Sequence, residues 1–266
     1  MKGQFNASFF ILLLSLGLVV VNIACRDIES PPKPDPWSRK NDTGKLFVST
    51  THSPGVSKIE YDADGRLVKF MDDDKNTVSV TYLPDSIVYS NISDNISIRE
   101  VFELDHEVVK KSKHWVSEHG GEKPELFTVF YAYKDGKLEK EVYSKDGEEY
   151  AYSVFVYDDS NKNLLKSEQY LSDGILAFKR TFEYTALPNK SGLLDDDNNN
   201  GMGASLFPKK SENLIRKVLV EDYLNNPGNI LHYSQEYTYE VDSEGYVVKV
   251  TRASGGVVDS WVNVWE

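Results

Sequence analysis

One short phrase recurs along this chain and limits what it can become: an acidic residue followed by glycine, set between stretches whose side chains alternate. It occurs at Asp64-Gly65, Asp135-Gly136, Asp146-Gly147 and Asp173-Gly174, and Asp242-Ser243-Glu244-Gly245 follows the same plan. Glycine takes the positive φ that a tight hairpin needs, so each phrase predicts a reversal between antiparallel strands. Residues 126–133 are β-branched and aromatic almost throughout, and Leu231, Tyr233, Tyr237 and Tyr239 fall on one side of their segment. Period-two runs of this composition are strands with one face more buried than the other. Tyr143, Tyr157, Tyr170 and Tyr184 follow at steps of 14, 13 and 14 residues, one strand plus one turn each. The expectation is an all-β fold, an antiparallel meander of hairpins forming a large curved sheet or a soluble barrel-like domain.

Two places depart from this rhythm. Leu214, Ile215, Val218 and Leu219 have a spacing that also suits a helix, although Val218-Leu219-Val220 suits a strand equally. Residues 186–212 form one long connection, with an acidic, asparagine-rich tip over 195–200. Behind the tip, Met202, Leu206 and Phe207 are spaced to share one side of a short helical turn. This apolar segment is expected to fold over one end of the sheet as a lid.

The amino end reads differently. A single lysine, Lys2, precedes an apolar run of thirteen residues over 9–21 and then Asn22-Ile23-Ala24-Cys25. That is the layout of a secretory signal, with the small residue at the cleavage point. The run is shorter than the roughly 20 residues a membrane helix needs. Cys25 is the only cysteine and follows the small residue directly. The stretch resembles a lipobox, with Asn22 where leucine is usual, and the resemblance implies that Cys25 is lipidated and anchors the chain. Residues 26–44 hold four prolines and several charges, the composition of an extended tether. Arg26-Asp27-Ile28-Glu29 resembles the surface-export signal of Bacteroidetes lipoproteins and equally suits a solvated linker. The organisation expected is therefore a signal peptide over 1–24, the lipidated Cys25 with its tether over 25–44, and one β domain over 45–266.

With one cysteine, no disulfide can form within the chain, so the core alone must hold the domain. The formal net charge is −12, and removing residues 1–24 takes away a lysine and no acid. Such a surface repels phosphates, which argues against nucleic acid as a partner class.

Motifs for chemistry are absent or incomplete. Asp196, Asn198, Asn200 and Gly201 match the start of a calcium loop, but Phe207 stands where the bidentate glutamate belongs. The five histidines, His52, His106, His114, His119 and His232, form no metal-binding pair, and surface positions are expected for them. No nucleophile has its usual setting. No catalytic residue, metal site or cofactor is assigned, and Cys25 is the one site residue. The sixteen tyrosines and four tryptophans suit strand packing first, and ligand stacking second.

The phrase Tyr61-Asp62-Ala63-Asp64-Gly65 resembles the YD repeats of bacterial toxin shells and the repeats of MORN-like proteins. The lipobox, the opening 59–67 and the ending 237–250 together are similar to an uncharacterised family of Bacteroidetes lipoproteins with a porin-like β fold. That resemblance covers most of 45–253 and implies a fold without implying an activity. Charged strands such as Lys137-Leu138-Glu139-Lys140-Glu141 suit a water-facing wall better than a lipid-facing one. The expectation is an outer-membrane lipoprotein, facing the cell surface or the periplasm. Its domain is read as a non-catalytic binding module for a glycan, a lipid or a protein. A structural envelope protein is the alternative, and a hydrolase the third reading.

Overall fold

The computed structural model describes residues 47–51, 56–72, 76–92, 96–106, 108–118, 125–158, 163–190, 211–224 and 230–266, all within the unit Pro36–Glu266. Cys25, the tether, the calcium-like stretch 196–201 and the apolar segment 202–207 lie outside these residues.

Among the described residues every element is a strand. In chain order they are β1 (Phe47–Thr50), β2 (Val56–Tyr61), β3 (Leu67–Asp72), β4 (Thr77–Leu83), β5 (Ser86–Ile92), β6 (Ile96–Asp105), β7 (Val108–Glu118) and β8 (Glu125–Lys134). There follow β9 (Lys137–Lys145), β10 (Glu148–Tyr157), β11 (Leu164–Leu171), β12 (Leu176–Pro188), β13 (Asn213–Asp222), β14 (Leu231–Val241), β15 (Val247–Ser254) and β16 (Val257–Trp265). Each pairs antiparallel with its sequence neighbours, and β16 returns to β1, closing a barrel. The segment around Leu214–Leu219, open between helix and strand in the sequence, is strand β13.

The turns use two devices. Asp135 and Gly136 have φ of 51° and 75°, and Asp146 and Gly147 have 52° and 87°. Two successive positive φ values give the hairpin whose twist matches the strands it joins. At β2–β3 the Asp62 carboxylate instead accepts the N–H groups of Asp64 and Arg66, at 3.0 and 2.9 Å. Asp242 does the same for Glu244 and Tyr246, both at 2.9 Å.

In an antiparallel meander alternate turns lie at alternate ends. The β2–β3, β4–β5, β6–β7, β8–β9 and β14–β15 turns share one end with Phe47 and Trp265. This end is the floor of the barrel. Inward side chains here are apolar and dry: Leu67, Ile87 and Val109 on one side, and Leu164, Val218 and Val250 on the other, are each 0–1% exposed. Aromatic residues fill in around them, including Phe102, Phe182, Tyr237 and Trp261. The aromatic-rich strands therefore serve packing at this end, as their composition suggests.

The outward wall is charged. Glu103 meets Lys111 and Lys113 at 2.9 and 2.7 Å, Lys179 meets Glu221 at 2.9 Å, and Lys217 meets Glu236 at 3.0 Å. Lys249 and Glu240 pair at 2.7 Å on the next strands. Lys113 and Lys111 hold the Glu103 carboxyl below the usual range by hydrogen bonding.

Bulges break the strict alternation at informative places. Tyr133 pairs with Leu138 and Ala132 with Lys140, so Glu139 is an extra residue. Period two alone puts Lys137, Glu139 and Glu141 on one face. The bulge separates them, turning Glu141 inward opposite Tyr131 and Lys140 outward opposite Ala132.

Candidate functional site

A closed barrel of eight strands is just wide enough for side chains to fill, and the diameter grows with strand number. A barrel of sixteen strands is wider than that. The inward rows that climb from this floor towards the other end, the mouth, show what lines the rest.

One row crosses from β4 to β8. Buried Val80 pairs with Tyr89, Tyr89 with Glu100, Glu100 with His114, and His114 with Phe127. A second row runs from β8 to β13 through Tyr131, Glu141, Ser153, Gln169, Phe178 and Asp222. A third joins Tyr237, Arg252 and Asp259 across β14–β16. Arg180 lies inward as well, between Ser167 and Val220. Sequence alternation places Leu231, Tyr233, Tyr237 and Tyr239 on one side, and that side is this inward face.

Water reaches part of these rows, although Val80, Ser153, Asp222 and Tyr237 within them are buried. The Glu100 and His114 side chains are 29% and 32% exposed, and Asp259 is 44% exposed. Tyr233 and Leu231, at the mouth end of β14, are exposed as well. The inward face is thus apolar and dry towards one end, and polar and partly exposed towards the other.

Three contacts organise the wet half. His114 Nδ1 stands 3.8 Å from a Glu100 oxygen. The Tyr143 hydroxyl donates to Glu141 Oε2 at 2.5 Å, and the Tyr131 and Ser112 hydroxyls meet at 3.0 Å. Arg252 grips Asp259 with two hydrogen bonds, Nε to Oδ1 at 3.2 Å and an Nη2 bond to Oδ2 at 2.6 Å. Such bidentate pairs are strong and directional. Burial pushes the Tyr131 phenol far up, helped by the Glu141 and Glu100 carboxylates. Burial also raises the Tyr143 phenol, again with Glu141 beside it.

An aromatic cluster caps this wall. The β9–β10 register slips between Glu149 and Ala151, making Tyr150 a bulge residue. Its ring lies 6.5 Å from that of Phe127 and 6.3 Å from that of Tyr143, and Phe127 is 6.4 Å from the His114 ring. Bulges commonly re-aim a side chain in this way. Lys145 Nζ sits 5.2 Å over the Phe127 ring.

The histidines scatter. His114 faces the lumen, which differs from the surface position expected for it. The cause is its place in an inward row, visible only once the β6–β8 register is known. His106 sits exposed in the β6–β7 turn, 2.6 Å from Asp105. His232 faces outward opposite Glu221, and His52 and His119 lie outside the described residues. Among the described residues, no three metal-ligating side chains converge. Sequence periodicity alone does not single out Glu100, Glu141, Phe127 or Tyr150 as site residues. Two of the four sit at or beside bulges, where parity fails.

No family model and no curated protein matches the chain. Solved structures do. It is similar to a porin-like protein from Bacteroides uniformis ATCC 8492, at 16% identity and a TM-score of 0.55, over 84% of this chain and 97% of that one. It is also similar to a porin-like protein from Bacteroides vulgatus ATCC 8482, at 16% identity and a TM-score of 0.58, over 83% and 98% of the two chains. At this identity the likeness establishes the porin-like β fold.

Proposed function

We propose that the chain is a cell-envelope lipoprotein, anchored through Cys25, that binds a polar ligand in the wet half of its barrel and carries out no catalysis. The observation that carries this reading is the division of the lumen. Its apolar part is already filled by Leu67, Ile87, Val218 and their neighbours, which leaves no dry surface there for a lipid chain. Its accessible part is lined by carboxylates, arginine, amide and aromatic groups. Small-molecule sites combine aromatic walls with a few placed polar groups in this manner.

Lipid, rather than the barrel, supplies the membrane attachment in this reading. Lysine at a lipid-facing position of a bilayer midplane costs roughly 2–4 kcal/mol. Outward Lys111, Lys113, Lys179, Lys217 and Lys249, with their glutamate partners, support a wall that meets water. The acidic chain argues against nucleic acid on the same electrostatic ground as before.

A ligand screen on the purified full chain, read by thermal shift, tests this. A binder should raise the melting temperature of the wild type and lose its effect with the inward Glu141→Gln. It should keep that effect with the outward Glu103→Gln. If no glycan, lipid or envelope extract shifts the melt, the binding reading fails.

One observation favours the second reading, an interaction protein. Phe130, Val142, Tyr152 and Tyr170 form an outward cross-strand row on β8–β11, with Phe130 48% exposed. Exposed apolar patches of this kind mark contact surfaces.

A further inference from the structure

We propose that the β6–β10 wall of the wet lumen is a subsite for a neutral carbohydrate, with Glu100, His114, Phe127, Glu141, Tyr143 and Tyr150 as its contacts. This rests on the binding role proposed above and names the ligand class.

A pyranose ring offers two kinds of surface. Its C–H faces are apolar and flat, and its hydroxyl edges need acceptors and donors. This wall offers both complements side by side. The rings of His114, Phe127, Tyr150 and Tyr143 form an unbroken run of neighbours, 6.3–6.5 Å apart. Tyr150 is 42% exposed, so part of its ring surface is open to a ligand. The carboxylates of Glu100 and Glu141 lie on the same inward face, within electrostatic reach of Tyr131 between them. A carboxylate has about four acceptor positions, and the Tyr143 hydroxyl donates to Glu141. Glu100 is 29% exposed, and its 3.8 Å approach to His114 is longer than a hydrogen bond.

Other ligand classes fit this wall poorly. An acyl chain would strip water from two carboxylates without replacing its hydrogen bonds, which is costly. An anion would meet those carboxylates at close range. A quaternary amine would suit rings and carboxylates, but Lys145 already holds a positive charge 5.2 Å over the Phe127 ring. A neutral sugar meets none of these objections and can use the Lys145 ammonium as a donor.

The test is calorimetric titration of the full chain, purified in detergent. The probes are neutral oligosaccharides of α- and β-linked glucose, mannose, xylose and N-acetylglucosamine, with tetramethylammonium as the cationic probe and a fatty acid as the apolar one. At least one oligosaccharide should bind. Tyr150→Ala should weaken that binding about tenfold or more, as loss of an aromatic anchor does, without moving the melting temperature. Glu100→Gln should weaken it as well, and outward Tyr170→Ala should not. The carbohydrate assignment falls if every oligosaccharide is silent, or if Tyr150→Ala binds like wild type. If tetramethylammonium or the fatty acid binds instead, and Glu141→Gln removes that binding, the ligand class is wrong while the lumen site stands. If no probe and no envelope extract shifts the melt, both readings fall.

Discussion

Phe47 and Trp265 meet edge to face across the closure of the barrel, with ring centroids 5.1 Å apart at 62°. They belong to β1 and β16, the two strands that join the beginning of the barrel to its end. The Trp265 indole also donates to the Val247 carbonyl at 2.9 Å, and its ring lies 5.2 Å from that of Tyr246. On the other side of β1 the joint is thin. Among the described residues β1 and β2 share the pairing of Thr50 with Val56, and the Tyr61 hydroxyl reaches the Phe47 carbonyl at 2.5 Å. Trp265→Ala should therefore cost about 3 kcal/mol, the usual scale for losing a large packed aromatic. Hydrogen exchange should show the largest loss of protection on β1. Equal protection on β1 in mutant and wild type would mean that closure does not depend on this ring.

A second prediction concerns the base of the long loop. The buried Asn163 side chain accepts the N–H groups of Glu212 and Asn213 at 2.9 and 3.1 Å, and donates to Asn213 Oδ1 at 3.1 Å. Beside it the Ser211 hydroxyl accepts from Leu164 N–H at 3.2 Å and meets the Tyr184 hydroxyl at 2.8 Å. This network ties the start of β11 to the chain entering β13. Asn163→Ala strands buried backbone donors, each costing about 1–3 kcal/mol. The urea midpoint should fall accordingly with its slope unchanged. A shift worth under about 0.5 kcal/mol would show that water replaces the amide freely.

Alkaline pH should unfold the barrel through its buried phenols. Burial holds the Tyr131, Tyr143 and Tyr239 hydroxyls above the ordinary value of 10.0. A raised folded pKa means that the folded state keeps its proton more tightly. The stabilisation is complete below 10.0 and is lost as pH rises beyond it towards the folded values. Phenolate absorbance and loss of strand signal should then appear together above pH 10. Smooth titration of all tyrosines in a still-folded protein would contradict this.

Lipid attachment has its own test. Cys25→Ala should abolish incorporation of a fatty-acid probe and release the chain from membranes. The melting temperature of the barrel should stay the same, because Cys25 precedes the tether and can join no disulfide. Equal labelling of mutant and wild type would reject the anchor.

Much of this architecture is legible in the chain itself. Asp135-Gly136 and Asp146-Gly147 announce their hairpins because only a few residue types accept two positive φ values in succession. The inward side of β14 can be read from Leu231, Tyr233, Tyr237 and Tyr239. Legibility fails where parity fails. Glu141 reads as a neighbour of Lys137 and Glu139 until the Glu139 bulge turns it inward. Tyr150 reads as an ordinary strand residue until its own bulge swings the ring beside Phe127 and Tyr143. Closure is equally silent, because nothing local in Phe47 or Trp265 says that they pair. The candidate lumen site is built from these nonlocal facts, and no motif spells it.

The order of the strands has a consequence for how the protein is made. Neighbours in the chain are neighbours in the wall all the way round, except at one joint, where β1 must wait for β16. Hairpins can add one after another as the chain is made, each needing only the strand before it. Throughout that time the edge of β1 stays raw, and it is satisfied only when β16 arrives. A chain cut short anywhere keeps two unpaired edges, however many strands it has, and such edges invite aggregation. β16 is thus a built-in check on the wall: only a chain that has reached it can hide the edge of β1.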